Sequence, residues 1–434
     1  MRVGIIGGGL AGLTAAYQLA KRGIAVELFE KEAELGGQAG TFLIEGTRLE
    51  RFYHHIFTSD HDIANLIKEL GLGDSLQWLD SKMGFFHGGK AYDFVTPLDL
   101  LRFSPLPFFD RVKAGVLALY LQRLDNWKKF EGITAKDWIE RYAGKAIWEV
   151  VWGSQLRGKF GDSHDQISMV WFWGKMKLRF GSRRLGGQRE SLGYLKGSFQ
   201  VLIDELERRI LAAGGKIYKG LPIERILAEG GKVGGLRTQQ GETFPFDRIV
   251  ATVPSHLLLQ LVPEMPEGYA ELLRKARYQA SLCLILKMKK PLTNIYWLNL
   301  SAPEMPFCAL IEHTNYIPPE VYGGKHLLYI SNYLETENPL YSLPKDELSE
   351  EYIPHLKRIN PDFDETWVEE SWLFRDEAAQ PLITCHYSRL IPPHKTPIQG
   401  LYLANTTQIY PEDRGMNYSV RLGNLVADMV AEEG

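Results

Sequence analysis

Apolar and polar positions at the start of the chain follow the order strand, helix, strand. Residues 2–6 form a short apolar run, and apolar side chains then recur at helical spacing between residues 10 and 22. Gly23 follows two basic residues, as expected at the end of a helix, and a second apolar run ends at Glu30. This pattern predicts a βαβ unit in the first thirty residues.

The same rhythm returns later in the chain. Residues 200–213 have the apolar spacing of a helix. Strand-like runs follow up to residue 254, and those that end at Phe246 predict a three-stranded meander. Residues 401–405 form a further buried strand, and an apolar helix then runs to about Glu432. We therefore expect three separate stretches to build one domain around a parallel sheet.

The stretches between them lack this rhythm. Residues 97–173 are rich in Leu, Phe, Trp and Tyr and predict a mainly helical insert, whereas residues 270–400 predict a mixed sheet with one helix at 345–358. The predicted fold class is α/β: a Rossmann-like domain of three layers, with a central parallel sheet and a β-meander, and an inserted α+β substrate domain. The predicted boundaries are 1–58, 192–262 and 398–434 for the first domain, and 59–191 and 263–397 for the second.

Glycines give the βαβ unit its chemistry. Gly7 permits a tight turn, Gly9 lets backbone N–H groups approach a pyrophosphate, and Gly12 lets the helix pack closely on the sheet. Phosphate would face the helix N-terminus, and Glu30 lies where an acid is expected to bind the ribose hydroxyls. The pattern predicts a dinucleotide site, and a second glycine pair at 36–37 suggests that more backbone approaches the same ligand.

Composition narrows the classes of function. The chain has 434 residues with a net charge of −3, which gives no electrostatic reason to expect nucleic acid. Three separated cysteines form no disulfide or metal-binding pattern, so we expect no metal site and a reducing compartment such as the cytoplasm. The motif begins at residue 2, which leaves no room for a signal peptide, and no apolar run is long enough to span a bilayer. The expected partner is a small-molecule substrate, and the oligomeric state is open.

Taken together, these segments resemble the FAD-dependent amine oxidase clan, which includes protoporphyrinogen oxidases, phytoene desaturase-like enzymes and, more distantly, UDP-galactopyranose mutase. The similarity lies in residues 2–37, 195–254 and 400–430. It implies FAD as the cofactor. It also implies an oxidoreductase that moves a hydride from an amine, a prenyl or polycyclic compound or a sugar-type substrate onto flavin N5.

The resemblance further implies which residues hold the FAD. These are Gly7, Gly9, Leu10, Ala11, Gly12, Glu30, Lys31, Gly36, Gly37, Gln38, Ile223, Thr252, Asn405, Gly415, Met416 and Asn417. Two of them depart from the clan's pattern, because Gln38 stands where Arg is common and Asn405 stands where an acid usually ends the strand. A helix that starts near Asn417 would point its positive end at the flavin and stabilise the negative charge of the reduced ring.

Four residues are catalytic candidates. The first two are the adjacent pair His54 and His55, because residues 55–58 resemble the flavin-adjacent histidine loop of the mutase. A histidine there could hydrogen-bond the flavin or act as an acid or base near neutral pH, or it could be an ordinary surface or hydrogen-bonded loop residue. Arg183 lies in a basic, glycine-rich stretch that could bind a phosphate or a carboxylate, or could form a solvated surface. Tyr418 could lie beside the flavin ring or serve only in packing.

Three function classes stay open from the sequence. The chain could be an FAD-dependent oxidoreductase, a non-redox flavoenzyme such as a UDP-sugar mutase, or a flavin-binding protein without catalysis. Residues 98–124 are dense in apolar side chains. They form either a peripheral membrane contact or an ordinary helix of the substrate domain.

Overall fold

A computed structural model describes residues 1–94, 96–181, 190–302 and 304–433. The strands of the described residues are β1 (Arg2–Ile6), β2 (Ala25–Phe29), β3 (Thr41–Ile44), β4 (Thr47–Glu50), β5 (Ile56–Phe57), β6 (Leu76–Ser81), β7 (Met83–His87), β8 (Lys90–Asp93), β9 (Glu190–Leu195), β10 (Lys216–Tyr218), β11 (Ile223–Glu229), β12 (Lys232–Thr238), β13 (Thr243–Pro245), β14 (Arg248–Ala251), β15 (Tyr278–Met288), β16 (Trp297–Leu300), β17 (Ala309–Glu312), β18 (His326–Leu334), β19 (Val368–Pro381) and β20 (Leu401–Leu403).

The α-helices of the same residues are α1 (Leu10–Lys21), α2 (His61–Glu69), α3 (Pro97–Arg102), α4 (Phe108–Arg123), α5 (Ala135–Tyr142), α6 (Lys145–Ile147), α7 (Gly153–Phe160), α8 (Met169–Gly181), α9 (Gln200–Ala212), α10 (Ser255–Leu261), α11 (Glu267–Lys275), α12 (Pro339–Ser342), α13 (Lys345–Tyr352) and α14 (Met416–Glu432). A π-helical turn, Trp148–Trp152, connects α6 to α7.

A five-stranded parallel sheet carries the glycine motif, in the order β10–β2–β1–β14–β20. Val3 and Ile5 of β1 pack into one core with α1, α9 and α14, whereas Ile6 packs into another with the β11–β13 meander and with α10 and α11. Successive side chains of a strand point to opposite faces, so the sheet lies between two packed layers. These three layers confirm the predicted α/β fold class.

The carboxyl ends of three strands meet at one edge of this sheet. Ile6 pairs in register with Phe29 on one side and with Ala251 on the other. The turns that follow β1, β2 and β14 therefore lie side by side, which is where parallel sheets bind nucleotides.

The carboxyl-terminal helix packs against the first helix. A Cβ placed on Gly423 of α14 would lie 2.6 Å from the carbonyl oxygen of Ala11 in α1, so only glycine permits this approach. The contact brings the two most distant parts of the chain together beside the glycine motif.

A seven-stranded mixed sheet forms the second large layer, in the order β19–β15–β18–β17–β16–β7–β8. The strands β7 and β8 come from the stretch that also carries α3 to α8, and β7 pairs in parallel with β16. The helix predicted at 345–358 is shorter, because α13 ends at Tyr352 and a 3-10 turn, Ile353–Arg358, follows. Pro354 at the start of that turn lacks the N–H donor that an α-helix requires.

Candidate functional site

Residues 7–12 and 36–37, together called the glycine cradle, lie at the carboxyl edge of the parallel sheet. A Cβ on Gly12 would lie 2.0 Å from the carbonyl oxygen of Gly7, so no other residue fits there. A Cβ on Gly9 would meet nothing closer than 3.9 Å, which leaves its backbone accessible. The N–H groups of the first turn of a helix lack partners within the helix, and no described side chain caps α1. The cradle therefore fits an anion.

The second glycine pair contacts the first glycine loop directly. The Gly36 N–H donates to the carbonyl oxygen of Gly8 at 2.8 Å. Gly37 has a φ of +56°, and a Cβ there would lie 3.1 Å from the Cα of Gly9. This contact places the second loop beside the predicted phosphate position.

Glu30 and Thr252 hold the cradle to the sheet. The Glu30 carboxylate accepts from the N–H of Gly8 at 2.6 Å and from the N–H of Glu32 at 2.9 Å. The Thr252 hydroxyl donates to the carbonyl oxygen of Ile6 at 2.9 Å. Both residues therefore lie at the glycine cradle, and their contacts with a nucleotide stay predictions.

Two other predicted cofactor residues lie near this edge. Ile223 begins the meander and packs in one core cluster with Phe29, the last residue of β2. Lys31 is exposed, and its ammonium lies 3.7 Å from the carboxylate of Glu32. The roles of Ile223 and Lys31 toward a nucleotide stay predictions.

A cavity of about 220 Å³ is lined by residues of the seven-stranded sheet, of α7 and α8, and of the start of α14, and it reaches Gln38, the residue after the cradle. It is lined by seven of the predicted site residues: Gln38, His54, His55, Gly415, Met416, Asn417 and Tyr418. Aromatic side chains form part of its other walls, namely Phe52, Tyr53, Phe57, Trp152, Trp171, Phe172, Tyr296, Trp297 and Tyr333. Predicted cofactor-binding residues and side chains of the inserted segments thus share one space.

The two histidines are uncharged at neutral pH. Burial lowers the pKa of His54 to about 4, and its Nδ1 lies 2.6 Å from the carbonyl oxygen of Phe52. Burial, reinforced by the positive charge of Lys175, lowers the pKa of His55 to about 3, and its Nδ1 lies 3.1 Å from the hydroxyl of Tyr296. Both rings therefore suit hydrogen bonding to a ligand better than proton exchange near pH 7.

The amino-terminal end of α14 faces the cavity. Gly415 precedes the helix without a capping side chain among the described residues, so the first-turn N–H groups and the helix dipole are available to a ligand. The Asn417 side chain accepts from the Ile63 N–H at 3.1 Å and so joins α14 to the start of α2. The guanidinium carbon of Arg421 lies over the Tyr418 ring, 5.0 Å from the centre of the ring.

Asn405 is occupied within the protein. Its amide accepts from the N–H and hydroxyl of Thr407 and donates to the carbonyl oxygen of Val253 and the hydroxyl of Ser255. These bonds fix the turn after β20. The predicted contact of Asn405 with a cofactor stays a prediction.

Three partly buried cations and one buried carboxylate form a group that the sequence did not single out. Lys159, Lys175 and Arg414, here called the cation cluster, all line the cavity. The Asp413 carboxylate lies 3.2 Å from the Lys159 ammonium and 2.9 Å from the Lys175 ammonium. It also accepts from the Trp171 indole at 2.8 Å.

Burial and charge set the protonation of this group. Burial lowers the pKa of Lys159 to about 7, although Asp413 partly offsets the effect. Burial alone would raise the pKa of Asp413, but the two lysines hold it well below its usual range. Asp413 is therefore a fixed anion rather than a proton acceptor.

Arg183 lies outside the described residues, together with the rest of residues 182–189. The cation cluster was missed because its members are distant in sequence. A weak signal existed, since Lys175 interrupts the apolar stretch of α8, and Asp413 and Arg414 directly precede Gly415, a predicted cofactor-binding residue.

The described residues fit FAD. The cradle leaves open backbone at Gly9, two uncapped helix starts face the same region, and the cavity next to them has room for a flat ring between aromatic walls. These features are what a diphosphate and a flavin ring require.

Comparison with known proteins identifies the family. The sequence model of a protein family, flavin containing amine oxidoreductase, matches residues 10–430 of this chain. The mitochondrial protoporphyrinogen oxidase of Nicotiana tabacum is 28% identical over 209 residues, which is 44% of this chain and 39% of that enzyme. The chloroplastic 15-cis-phytoene desaturase of Arabidopsis thaliana is 26% identical over 284 residues, which is 61% of this chain and 50% of that enzyme.

A solved structure of reduced UDP-galactopyranose mutase superposes with a TM-score of 0.78 at 17% identity, covering 100% of this chain and 96% of the mutase chain. At that identity the likeness shows the fold alone. This chain spans half or less of the length of the two plant enzymes that it matches. The resemblance predicted from the sequence is confirmed: the chain belongs to the flavin containing amine oxidoreductase family, and its cofactor is FAD.

Proposed function

We propose that this chain is an oxidoreductase that removes a hydride from an organic substrate bound in the cavity. One observation carries the proposal: the predicted flavin-contacting residues and the aromatic walls of the inserted segments line the same space. When bound, FAD supplies an electron-accepting ring whose N5 takes the hydride. Family membership and the oxidase and desaturase names of the relatives support this class of reaction.

The residues of the chain then have distinct tasks. The N-terminal end of α14 favours negative charge near the flavin, as a helix dipole does. Trp171 and Phe172 wall the cavity, exclude water and hold an apolar substrate body. His54 and His55, being neutral, position a ligand by hydrogen bonds.

The test is an anaerobic screen of the FAD-loaded protein. Amines, prenyl compounds, polycyclic compounds and sugar nucleotides are mixed with the enzyme, and the flavin absorbance near 450 nm is followed. We expect one class to bleach the flavin and air to restore it. Failure of every class, with folded and yellow protein, would contradict the proposal.

A non-redox mutase is the second candidate. It is supported by the position of the two histidines on the cavity and by the fold shared with the reduced mutase. Activity on a UDP-sugar that appears only after dithionite reduction would favour it. Turnover coupled one-to-one to an electron acceptor would exclude it.

We also propose that α4 and its surroundings contact a membrane surface. The described chain contains no helix long and apolar enough to cross a membrane. Yet Phe109, which is 84% exposed, shares one face of α4 with the exposed side chains of Val112, Val116 and Leu119. The opposite face, which includes Leu121, packs on the helical core. The helix is therefore apolar on both faces, with one face buried and the other exposed.

Charge favours an anionic lipid surface as the occupant. Arg102, Lys113 and Arg123 are exposed next to the apolar stripe, although the whole chain has a net charge of −3. In flotation with phosphatidylcholine and phosphatidylglycerol vesicles, we expect binding that the double substitution Phe109→Ser and Val116→Ser abolishes. Leu211→Ser, which removes a 48% exposed leucine of α9, is the matched control. Equal flotation of all three proteins, or none by the wild type, would refute the contact.

A further inference from the structure

The cation cluster presents more hydrogen-bond donors to the cavity than the described residues satisfy. Its members come from three elements: Lys159 from α7, Lys175 from α8 and Arg414 from the loop before α14. Asp413 is the carboxylate that pairs with the two lysines. Partly buried donors without acceptors are unfavourable, so a further acceptor is expected to complete the group.

A count of the donors shows how many lack an acceptor. An ammonium has three donors and a guanidinium has five. Among the described residues, Lys159 and Lys175 each donate one hydrogen bond, to Asp413. Arg414 donates to the amide oxygen of Gln380 at 3.2 Å and to the hydroxyl of Tyr333 at 2.9 Å. Most of these donors therefore have no acceptor in the described protein.

Two further acids of the cavity, Asp60 and Asp376, offset part of the charge of Lys175 and Arg414, but their hydrogen bonds are made elsewhere. Asp413 already accepts from the two lysines, from Trp171 and from Gln380. Asp60 accepts from the N–H of Phe57, and Asp376 accepts from the N–H of Ala378. Glu190, which also lines the cavity, is buried and has interactions of its own.

The walls next to the cation cluster are flat and apolar. The Lys159 ammonium lies 5.1 Å from the centre of the Trp171 ring and 5.6 Å from that of Tyr333. Trp152 and Phe172 pack edge to face, with ring centres 4.8 Å apart. Such walls suit an unsaturated or aromatic body.

We propose that the cavity takes a substrate with an anionic oxygen group, a carboxylate or a phosphate, on a flat unsaturated body, and that the cation cluster anchors the anionic group. This inference rests on the proposed function, because it assigns the substrate class of the same cavity. Asp413 acts as a positioning residue that holds the two ammonium groups toward the ligand.

The test measures binding rather than turnover, so it stays separate from the redox proposal. Benzoate, phenyl phosphate and the neutral benzamide are titrated into the FAD-loaded enzyme by isothermal calorimetry. We expect benzoate or phenyl phosphate to bind about tenfold or more tightly than benzamide, since hydrogen bonds to charged groups are the stronger ones. Which anion binds more tightly distinguishes a carboxylate from a phosphate substrate.

Variants on one helix sharpen the test. Lys175→Gln should weaken binding of the preferred anion about tenfold and leave benzamide unchanged. Lys177→Gln is the matched control, because Lys177 lies on the same helix but pairs at the surface with Asp125. If Lys175→Gln loses its FAD, Lys175→Arg replaces it, and that variant should keep anion binding within about threefold.

Three results would overturn the proposal: benzamide binding as tightly as the anions, Lys175→Gln keeping wild-type affinity for them, or both lysine variants weakening them equally. A fourth would be unchanged anion binding together with a shifted flavin reduction potential in Lys175→Gln, because the cation cluster would then serve the reduced flavin. If the anions bind as expected but no substrate bleaches the flavin, the redox proposal fails and the binding inference stands.

Discussion

The glycine cradle and the cation cluster are two candidate binding features that depend on different parts of the polypeptide. The cradle consists of backbone, and a representative contact joins Gly8 to Glu30 across 22 positions. The cation cluster consists of side chains, and its contacts with Asp413 span 254 and 238 positions. The cradle is therefore sensitive to an added side chain at its close contacts, such as Gly12, whereas the cation cluster is sensitive to the loss of charge.

The largest effect is expected from an added methyl group in the cradle. Gly12→Ala would place a Cβ 2.0 Å from the Gly7 carbonyl oxygen, which forces the turn and α1 apart. We expect FAD affinity to fall by more than about 100-fold, with loss of stability, as measured by flavin fluorescence on reconstitution. Gly115→Ala in α4 is the control, because the nearest atom to the added Cβ would be 3.7 Å away, and this variant should keep the FAD affinity of the wild type. Normal FAD content in Gly12→Ala would refute the steric account.

The cation cluster should respond to loss of its anion. Asp413→Asn leaves two partly buried lysines without their carboxylate partner, and we expect the free energy of unfolding to fall by about 1–3 kcal/mol. Asp125→Asn is the control, because its side chain is 92% exposed and its pair with Lys177 contributes little. Urea denaturation of the FAD-loaded proteins measures both. Equal stability of the two variants would mean that the buried pair is not important for folding.

The pH dependence of stability tests the histidine side of the cavity. The folded pKa values of His54 and His55 are lowered from 6.5 to about 4 and about 3, so the unfolded chain binds more protons between those values and 6.5. Stability should therefore fall as the pH is lowered from 6.5 to 4, by about 1–3 kcal/mol. Asp60, whose pKa burial raises to about 6, acts in the opposite direction.

The histidine contribution is isolated by comparing the wild type with His54→Gln/His55→Gln at pH 6.5 and pH 4.5. The double variant should lose less stability between the two pH values. A parallel decline in both proteins would show that other groups govern the acid response.

The smallest effect concerns the charge at the ribose position. Glu30→Gln keeps one acceptor for the Gly8 N–H but loses the charge, so FAD affinity should fall by about 1 kcal/mol, roughly fivefold. Glu32→Gln, at the exposed neighbouring acid, should leave affinity unchanged. Equal affinities for the two variants would argue against a direct role of Glu30.

The sequence alone determined the parts of the molecule whose geometry depends on neighbours along the chain. Gly7, Gly9 and Gly12 predicted a turn that only glycine permits, and the apolar spacing predicted α1, α9 and the meander at close to their observed bounds. The order of these elements also predicted the α/β fold, because parallel strands with helical crossovers have few alternative arrangements.

Tertiary structure decided what lies opposite each apolar or charged face. Periodicity did not show that Lys159 and Lys175 meet Asp413. It also did not show that one apolar face of α4 packs on the helical core while the other is exposed, or that the Asn405 side chain is hydrogen-bonded within its own turn. A side chain's partner depends on how distant segments pack, and burial then sets the pKa of groups such as Lys159. Local spacing specifies backbone conformation, but only the packed chain determines which charges share a cavity.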